Sequence, residues 1–325
     1  MTGIEPVVRS IKTRKFPERR YAEQLIKAHR AHIDASPTAS GKPPIRVVCI
    51  SDTHNTRPRV PDGDVLIHAG DLTENGSFAE VQQELAWLAS LPHRFKILVA
   101  GNHDVLFDES FLQKYPGRCY GQKQTKDDLF WGDVIYLQDE MVTLEFSARE
   151  HESGTQDEQS SSRNLTVFGS PWTPKYGISA FQYHPNNHQH WETILGSLAQ
   201  RPDIMVTHGP PRHHLDRRDF HQAGCPHLAQ EVRRIRPRLC VFGHIHAAYG
   251  REHVLFDGAQ EAYEEILTGW AAWGGVLRLA MAVVWARLAH LLRRPRSDQL
   301  TILVNAAVVG GPNNELRNDP IVVDL

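Results

Sequence analysis

Ser51-Asp52-Thr53-His54-Asn55 follows the apolar run Ile45-Arg46-Val47-Val48-Cys49-Ile50. That run has the length and β-branched content of a buried strand, so Asp52 and His54 fall where a strand's C-terminal end opens into a loop. Open α/β sheets usually build their sites there. A carboxylate and an imidazole so close in sequence suit one cation, but Asp and His also populate ordinary loops. The reading therefore turns on whether matching groups recur downstream.

They recur, each time after an apolar run. Val65-Leu66-Ile67-His68-Ala69 leads into Gly70-Asp71, and Lys96-Ile97-Leu98-Val99-Ala100 leads into Gly101-Asn102-His103-Asp104. Asp203-Ile204-Met205-Val206-Thr207 leads into His208-Gly209, and Leu239-Cys240-Val241-Phe242 into Gly243-His244-Ile245-His246. The order DxH, GD, GNHD, H, GHxH between Ile45 and Tyr249 resembles the calcineurin-like metallophosphoesterase superfamily. Gly169-Ser170-Pro171-Trp172, Thr207-His208-Gly209-Pro210-Pro211 and the Gly243 to Gly250 stretch further resemble its metallophosphoesterase-domain-containing branch, which is linked to cyclic-nucleotide phosphodiesterase activity.

The resemblance implies an α/β fold, a four-layer metallophosphoesterase β-sandwich flanked by helices. It also implies two divalent or trivalent metal ions of the Mn, Fe or Zn kind. Asp52, His54, Asp71 and His246 would hold one ion, and Asp71, Asn102, His208 and His244 the other, with the Asp71 carboxylate bridging. Carboxylate, amide oxygen and imidazole together suit such ions. By the same resemblance His103 would face the leaving oxygen as general acid or charge partner, while Asp104 would accept from its other ring nitrogen. The implied reaction is hydrolysis of a phosphodiester, a cyclic nucleotide or small nucleotide ester, by metal-bridged hydroxide. A phosphomonoesterase or protein phosphatase would use the same ligands. Non-catalytic scaffolds of this fold show degraded ligands, and here the set is intact.

With 325 residues, 41% hydrophobic and 23% charged, the chain can bury one large α/β core or two smaller ones. A net charge of -2 and the lack of a basic stripe with interleaved aromatics give no footprint for a nucleic-acid polymer. The four cysteines show no CxxC spacing, and Cys49 and Cys240 sit inside expected strands, so all are read as reduced thiols. Together with an N-terminus lacking an apolar leader, this makes the cytoplasm the expected compartment, with membrane association through a later segment.

Residues 1–44 read as a basic arm whose helix, from Pro17 to Ile33, docks on a metallophosphoesterase domain of residues 45–325. Ser77 is placed to cap an amphipathic helix, and further helices are expected from Asn187 to Leu198 and from Pro226 to Ile235. Val134-Ile135-Tyr136-Leu137 and Met141-Val142-Thr143-Leu144-Glu145-Phe146 suit an antiparallel pair. The polar stretch 147–164 reads as a mobile surface loop. Trp172 suits either core packing or a stacking platform for a base, and His213 and His214, which lack a motif slot, read as structural or solvent-exposed, with the substrate mouth as the alternative.

An apolar helical insertion at 259–297 departs from the pattern. Ile266 to Leu292 reads as one helix, with Trp270, Trp273 and Trp285 suited to an interface and Arg293-Arg294-Pro295-Arg296 following. It is expected to lie on a membrane surface or to pack on protein, not to span a bilayer, because the strands on either side belong to one fold.

Overall fold

The computed structural model describes residues 17–34, 43–146, 162–218, 221–269, 271–292 and 300–325. Two units divide the chain, Met1–Pro37 with Phe256–Pro295 and Thr38–Leu255 with Arg296–Leu325. The first is helical, built from α1 (Pro17–Asp34), α6 (Gly258–Thr268) and α7 (Trp273–Leu292). Ala22 and Ile26 of α1 share one apolar cluster with Ala259, Ala262, Ile266, Leu279 and Val283 of the other two helices. His29 reaches Asp257, whose other carboxylate oxygen caps the N-terminus of α6 by accepting from Ala259 and Gln260.

The single helix expected from Ile266 to Leu292 is interrupted. Thr268 closes α6, Gly269 takes the left-handed conformation of a C-cap at φ 84°, and α7 starts at Trp273. Trp270 lies outside the described residues, as does 147–161 of the expected loop. Arg163 and Asn164, also assigned to that loop, instead open a strand.

The second unit is the sandwich. One sheet has the order β17 (Ile321–Asp324), β1 (Arg46–Ile50), β2 (Val65–Ala69), β3 (Phe95–Val99), β4 (Val134–Tyr136), parallel except at the β17 edge. The other has the order β13 (Gly250–Leu255), β14 (Leu300–Asn305), β12 (Leu239–Phe242), β9 (Ile204–Thr207), β6 (Arg163–Ser170), β5 (Glu140–Phe146). Its inner strands are parallel and its two edges antiparallel. Short ribbons β7 (Thr173–Pro174) with β8 (Gln182–Tyr183), β10 (Arg217–Arg218) with β11 (His221–Gln222), and β15 (Val309–Gly310) with β16 (Glu315–Leu316) complete the set.

The period-two rule sorts each strand between two cores. Val47, Cys49, Val65, Ile67, Ile97 and Val99 face the second sheet's Leu165, Val167, Ile204, Val206, Leu239, Val241 and Val304. Their neighbours Val48, Ile50, Leu66 and Leu98 point the other way, onto Val81, Leu85 and Leu88 of α2 (Phe78–Ser90) and onto Phe111 of α3 (Glu109–Lys114). Ser77 and Glu80 form a capping box that starts α2, worth about 1 kcal/mol. Helix α4 (His190–Gly196) is shorter than its apolar pattern suggests, whereas α5 (Pro226–Ile235) has the expected bounds. Since α5 is the crossover between parallel β9 and β12, and the sandwich interior is already filled by the first sheet, its buried Leu228, Val232 and Ile235 cover the outer face. The layers are therefore helix, sheet, sheet, helix.

The expected antiparallel pairing of 134–137 with 141–146 does not form. β4 pairs with β3 in one sheet and β5 with β6 in the other, so Gln138 and Asp139 carry the chain between sheets. Asp139 holds that crossing. Its main-chain N–H donates to Gly169, and its carboxylate accepts from Ser170 Oγ and Trp172 Nε1 at 2.7 and 2.8 Å.

Candidate metal centre

Each strand that delivers a site residue does so at its C-terminal end. β1 is followed by Asp52 and His54, β2 by Asp71, and β3 by Asn102 and His103, all from the first sheet. β9 is followed by His208, and β12 by His244 and His246, from the second. Main-chain bonds lace these loops together: Asp52 N donates to Gly70 O at 2.8 Å, His54 N to Asp71 O at 3.1 Å, and Gly243 N to His208 O at 2.9 Å.

The ligand-bearing groups converge as three overlapping clusters: Asp52 with His54 and His246, His54 with Asp71 and His103, and Asp71 with His208 and His244. Within each, the potential ligand atoms lie within 4.8 Å of one another. Asn102 joins the last through Oδ1, 3.0 Å from His208 Nε2. All seven residues expected as metal ligands are therefore brought together, and Asp71 lies at the middle.

The donor set fits a cation. His208 Nδ1 donates to the Ala69 carbonyl at 3.0 Å, which leaves the Nε2 lone pair facing Asn102 Oδ1 at 3.0 Å and Asp71 Oδ2 at 3.4 Å. Three acceptor atoms meet there, and something positive must sit among them. Burial alone would lower the His208 pKa, but the Asp71 carboxylate and then Asp52 raise it to about 9, so a proton takes that place when nothing else does. Both ring nitrogens of buried His54 lack a hydrogen-bond partner, and Nε2 is 3.7 Å from Asp71 Oδ2. Asp52 and Asp71 are buried, which by itself would raise them; the histidines around them overcome this, bringing Asp52 to about 2 and Asp71 well below the ordinary carboxylate range. Two buried carboxylates held ionised side by side call for positive charge.

Backbone geometry carries a cost at the same place. Asp52, His54, Asn55, Asp71 and His244 all have φ between 45° and 67°, the left-handed region that non-glycine residues rarely occupy. Glycine supplies the room: a Cβ on Gly243 would run into Asp52 Oδ2 and Ser51 Oγ, and one on Gly101 into Asp71 Oδ1.

His103 lies at the edge of the group. Its N–H donates to Asp71 Oδ1 at 2.8 Å, and its ring Nδ1 to the Glu74 carbonyl at 2.7 Å, leaving Nε2 for the open side. The expected acceptor, Asp104, does not take this part. Its carboxylate is filled by the N–H groups of Leu72, Thr73 and Gly101 and by Thr73 Oγ1, at 2.7 to 3.1 Å. Asp104 ties the GD loop to the GNHD turn and acts on His103 only through its charge. Burial would lower the His103 pKa, but Asp71, the Glu74 carbonyl and Asp104 raise it above the usual imidazole value.

Three residues escaped the sequence reading. Glu74 contributes its carbonyl to His103, while its carboxylate lies 3.1 Å from His54 Nδ1, at an angle short of a full hydrogen bond, and accepts from Asn314 Nδ2 at 2.9 Å. Buried His68 donates through Nε2 to Thr53 Oγ1, which in turn donates to Leu72 O, and so props the turn between Asp52 and His54. An imidazole inside an otherwise apolar strand was the available signal. Tyr176, 54% exposed, sets its ring 5.1 Å from that of His244 at the open side. Of His213 and His214, the latter is buried with Nδ1 2.6 Å from Glu252, in keeping with a structural part and not with a place at the mouth. Trp172 has its indole N–H on Asp139 and its ring edge-on to Phe181, the environment of a packed residue.

Glu74→Ala is expected to weaken metal affinity by roughly 10- to 100-fold, because the carboxylate 3.1 Å from His54 Nδ1 is gone while the carbonyl serving His103 stays. A metal titration followed by equilibrium dialysis measures it, and an unchanged affinity would remove the Glu74 side chain from the centre.

Residues 45–248 match the family described as Calcineurin-like phosphoesterase. The chain belongs to that family. As a calcineurin-like phosphoesterase it is, by class, a metal-dependent phosphoester hydrolase domain. Among its relatives, it is 37% identical over 249 residues to the human Metallophosphoesterase domain-containing protein 1, covering 71% of this chain and 69% of that protein. A UPF0046 protein of Caenorhabditis elegans is 33% identical over 225 residues, 66% of this chain and 68% of the other. The protein named "Probable rhamnogalacturonate lyase C" of Emericella nidulans is 40% identical over 283 residues; this is 86% of the present chain but only 24% of that protein's length.

Proposed function

We propose that the protein hydrolyses a small phosphodiester, a cyclic nucleotide or related nucleotide ester, at a centre of two metal ions. The observation that carries the reading is the convergence of the seven expected ligand side chains, six of them in three overlapping clusters with Asp71 in two and Asn102 beside His208, together with a His103 ring whose Nδ1 is committed to the Glu74 carbonyl. Asp52, His54, Asp71 and His246 hold one ion, and Asp71, Asn102, His208 and His244 the other. Such a pair supplies hydroxide near neutral pH and neutralises phosphoryl oxygens.

The chain's own residues do the rest. The Ala69 carbonyl fixes the His208 tautomer so that Nε2 faces the ligand side, and Glu74 does the same for His103. As the imidazolium, the form its raised pKa favours, His103 presents its Nε2–H toward the oxygen that departs, as acid or as charge partner. Tyr176 offers an aromatic surface at the mouth, suited to a nucleobase. Manganese, iron and zinc all suit the donor set. The lyase activity in the Emericella protein's name belongs to a chain of which this match covers 24%, and it is not carried over.

A panel of esters on protein reconstituted with manganese tests the substrate class. Faster turnover of cyclic nucleotides and bis(nitrophenyl) phosphate than of nitrophenyl phosphate and phosphopeptides is expected. The reverse order would make the same centre a phosphomonoesterase or protein phosphatase, and inactivity with metal bound would leave a scaffold.

A further inference from the structure

Helix α7, WGGVLRLAMAVVWARLAHLL, is apolar on every side. Packing accounts for half of it: Leu279 and Val283 are buried with Ala22, Ile26 and Ile266 in the helical unit. The other half faces outward. Trp273, Leu277, Met281, Val284, Trp285 and Leu288 are 50 to 74% exposed. Their spacing of three, four or seven residues places them in one stripe along about 22 Å of helix. Tyr21 of α1, 53% exposed, lies with its ring 5.7 Å from that of Trp273 and extends the stripe across the unit. A run of this size is well beyond the scattered apolar residues of an ordinary surface.

We propose that this face binds the surface of an anionic membrane, with α7 lying in the plane of the interface. The shape agrees: the depression along Ala280, Met281, Val284, Trp285 and Leu288 is shallow and open, with no deep pocket for an anchoring side chain. The aromatic residues agree as well, since Trp273 and Trp285 stand toward the two ends of the stripe and Tyr21 beside the first; amphipathic rings favour the headgroup level. The charge decides the partner. α7 contains no acidic residue, and its cations are Arg278 and Arg287. Arg278 pairs with Glu265 and lies near Glu261 of α6, whereas Arg287 has the Ala28 carbonyl as acceptor and no carboxylate among the described residues. Among the described residues, Arg287 is the charge toward the C-terminal end of the stripe, and in sequence Arg293, Arg294 and Arg296 follow the helix. Anionic headgroups complement these cations, whereas the same stripe on a second copy has no carboxylate on α7 to meet them. No helix among the described residues is long and apolar enough to cross a membrane.

Flotation of the full chain with vesicles tests the inference, using phosphatidylcholine alone and phosphatidylcholine with phosphatidylserine in roughly 7:3 proportion. The wild type is expected to float with the mixed vesicles and several-fold less with the neutral ones. Trp285→Ser with Leu288→Ser, both exposed and so tolerable to the fold, should lower the bound fraction about tenfold or more, and Arg287→Glu should lower it on mixed vesicles alone. Circular dichroism and light scattering on the same samples separate the alternatives. A wild type that stays in the soluble fraction overturns the proposal. So does a wild-type oligomer that the double variant turns into a monomer with no change in flotation, which would make the stripe a self-association face. Neither outcome bears on hydrolysis at the metal centre.

Discussion

Asp71→Ala is expected to strip both metal positions and to lower turnover by roughly three orders of magnitude or more. Asp71 joins two of the three clusters: it groups with His54 and His103 on one side and with His208 and His244 on the other. Its removal leaves one position with Asp52 as its single carboxylate and the other with none, and leaves the His103 N–H without its acceptor. Asp52→Ala or His54→Ala, by contrast, leaves the cluster of Asp71, His208 and His244 whole and should mainly weaken one site. Because Asp71 sits at φ 52°, alanine adds backbone strain, so Asp71→Asn is the companion variant; asparagine tolerates the left-handed conformation and keeps the shape while losing the charge. Elemental analysis after dialysis gives metal per chain, and calorimetry shows whether each variant is folded. A folded Asp71→Asn protein with full metal content would contradict the bridging role, and wild-type protein that remains metal-free in manganese buffer would sink the enzyme reading.

His103→Ala is expected to keep its metal and lose turnover, by about 10²- to 10⁴-fold on esters with poor leaving groups and by much less on a nitrophenyl ester. Nitrophenolate departs without needing a proton, so an acid contributes little to its loss. The structural ground is the division of labour around the ring: Nδ1 is committed to the Glu74 carbonyl and only Nε2 is available. The measurement is the ratio of rate losses on two diesters that differ only in the leaving alcohol. Equal losses would confine His103 to an electrostatic role.

Much of this centre is legible in the sequence because each ligand follows a strand that announces itself. A five-residue apolar run ending in Asp-x-His or Gly-Asp fixes both the element and the side of the sheet on which the loop emerges, as β1, β2 and β3 show. What periodicity does not encode is the partner of a strand. β4 and β5 are each recognisable, yet one joins each sheet, and the reason is a set of contacts from Asp139 to Ser170 and Trp172, about thirty residues away in the chain. The break between α6 and α7 was hidden for a different reason. Apolar residues continue on both sides of it, and Gly269 is the single mark of the C-cap. Asp104 was misread because its neighbour His103 suggested a partner, whereas the burial of the carboxylate made main-chain N–H groups its partners instead. Main-chain acceptors such as the Glu74 and Ala69 carbonyls carry no residue-type signal at all.

The two-sheet origin of the ligands also bears on the order of folding. Asp52, Asp71 and Asn102 reside on one sheet, and His208, His244 and His246 on the other; the bond from His208 to Ala69 spans 139 residues of chain, and that from His246 to Asp52 spans 194. Neither sheet contains a complete set of donors, and contacts this distant in sequence form only after the loops between them have closed. A partly folded chain with a single sheet assembled has no high-affinity position for the ion. Metal uptake during refolding is thus a clock for the last docking event, in which the two halves of the sandwich meet, and the ion acts as a latch that slows their parting.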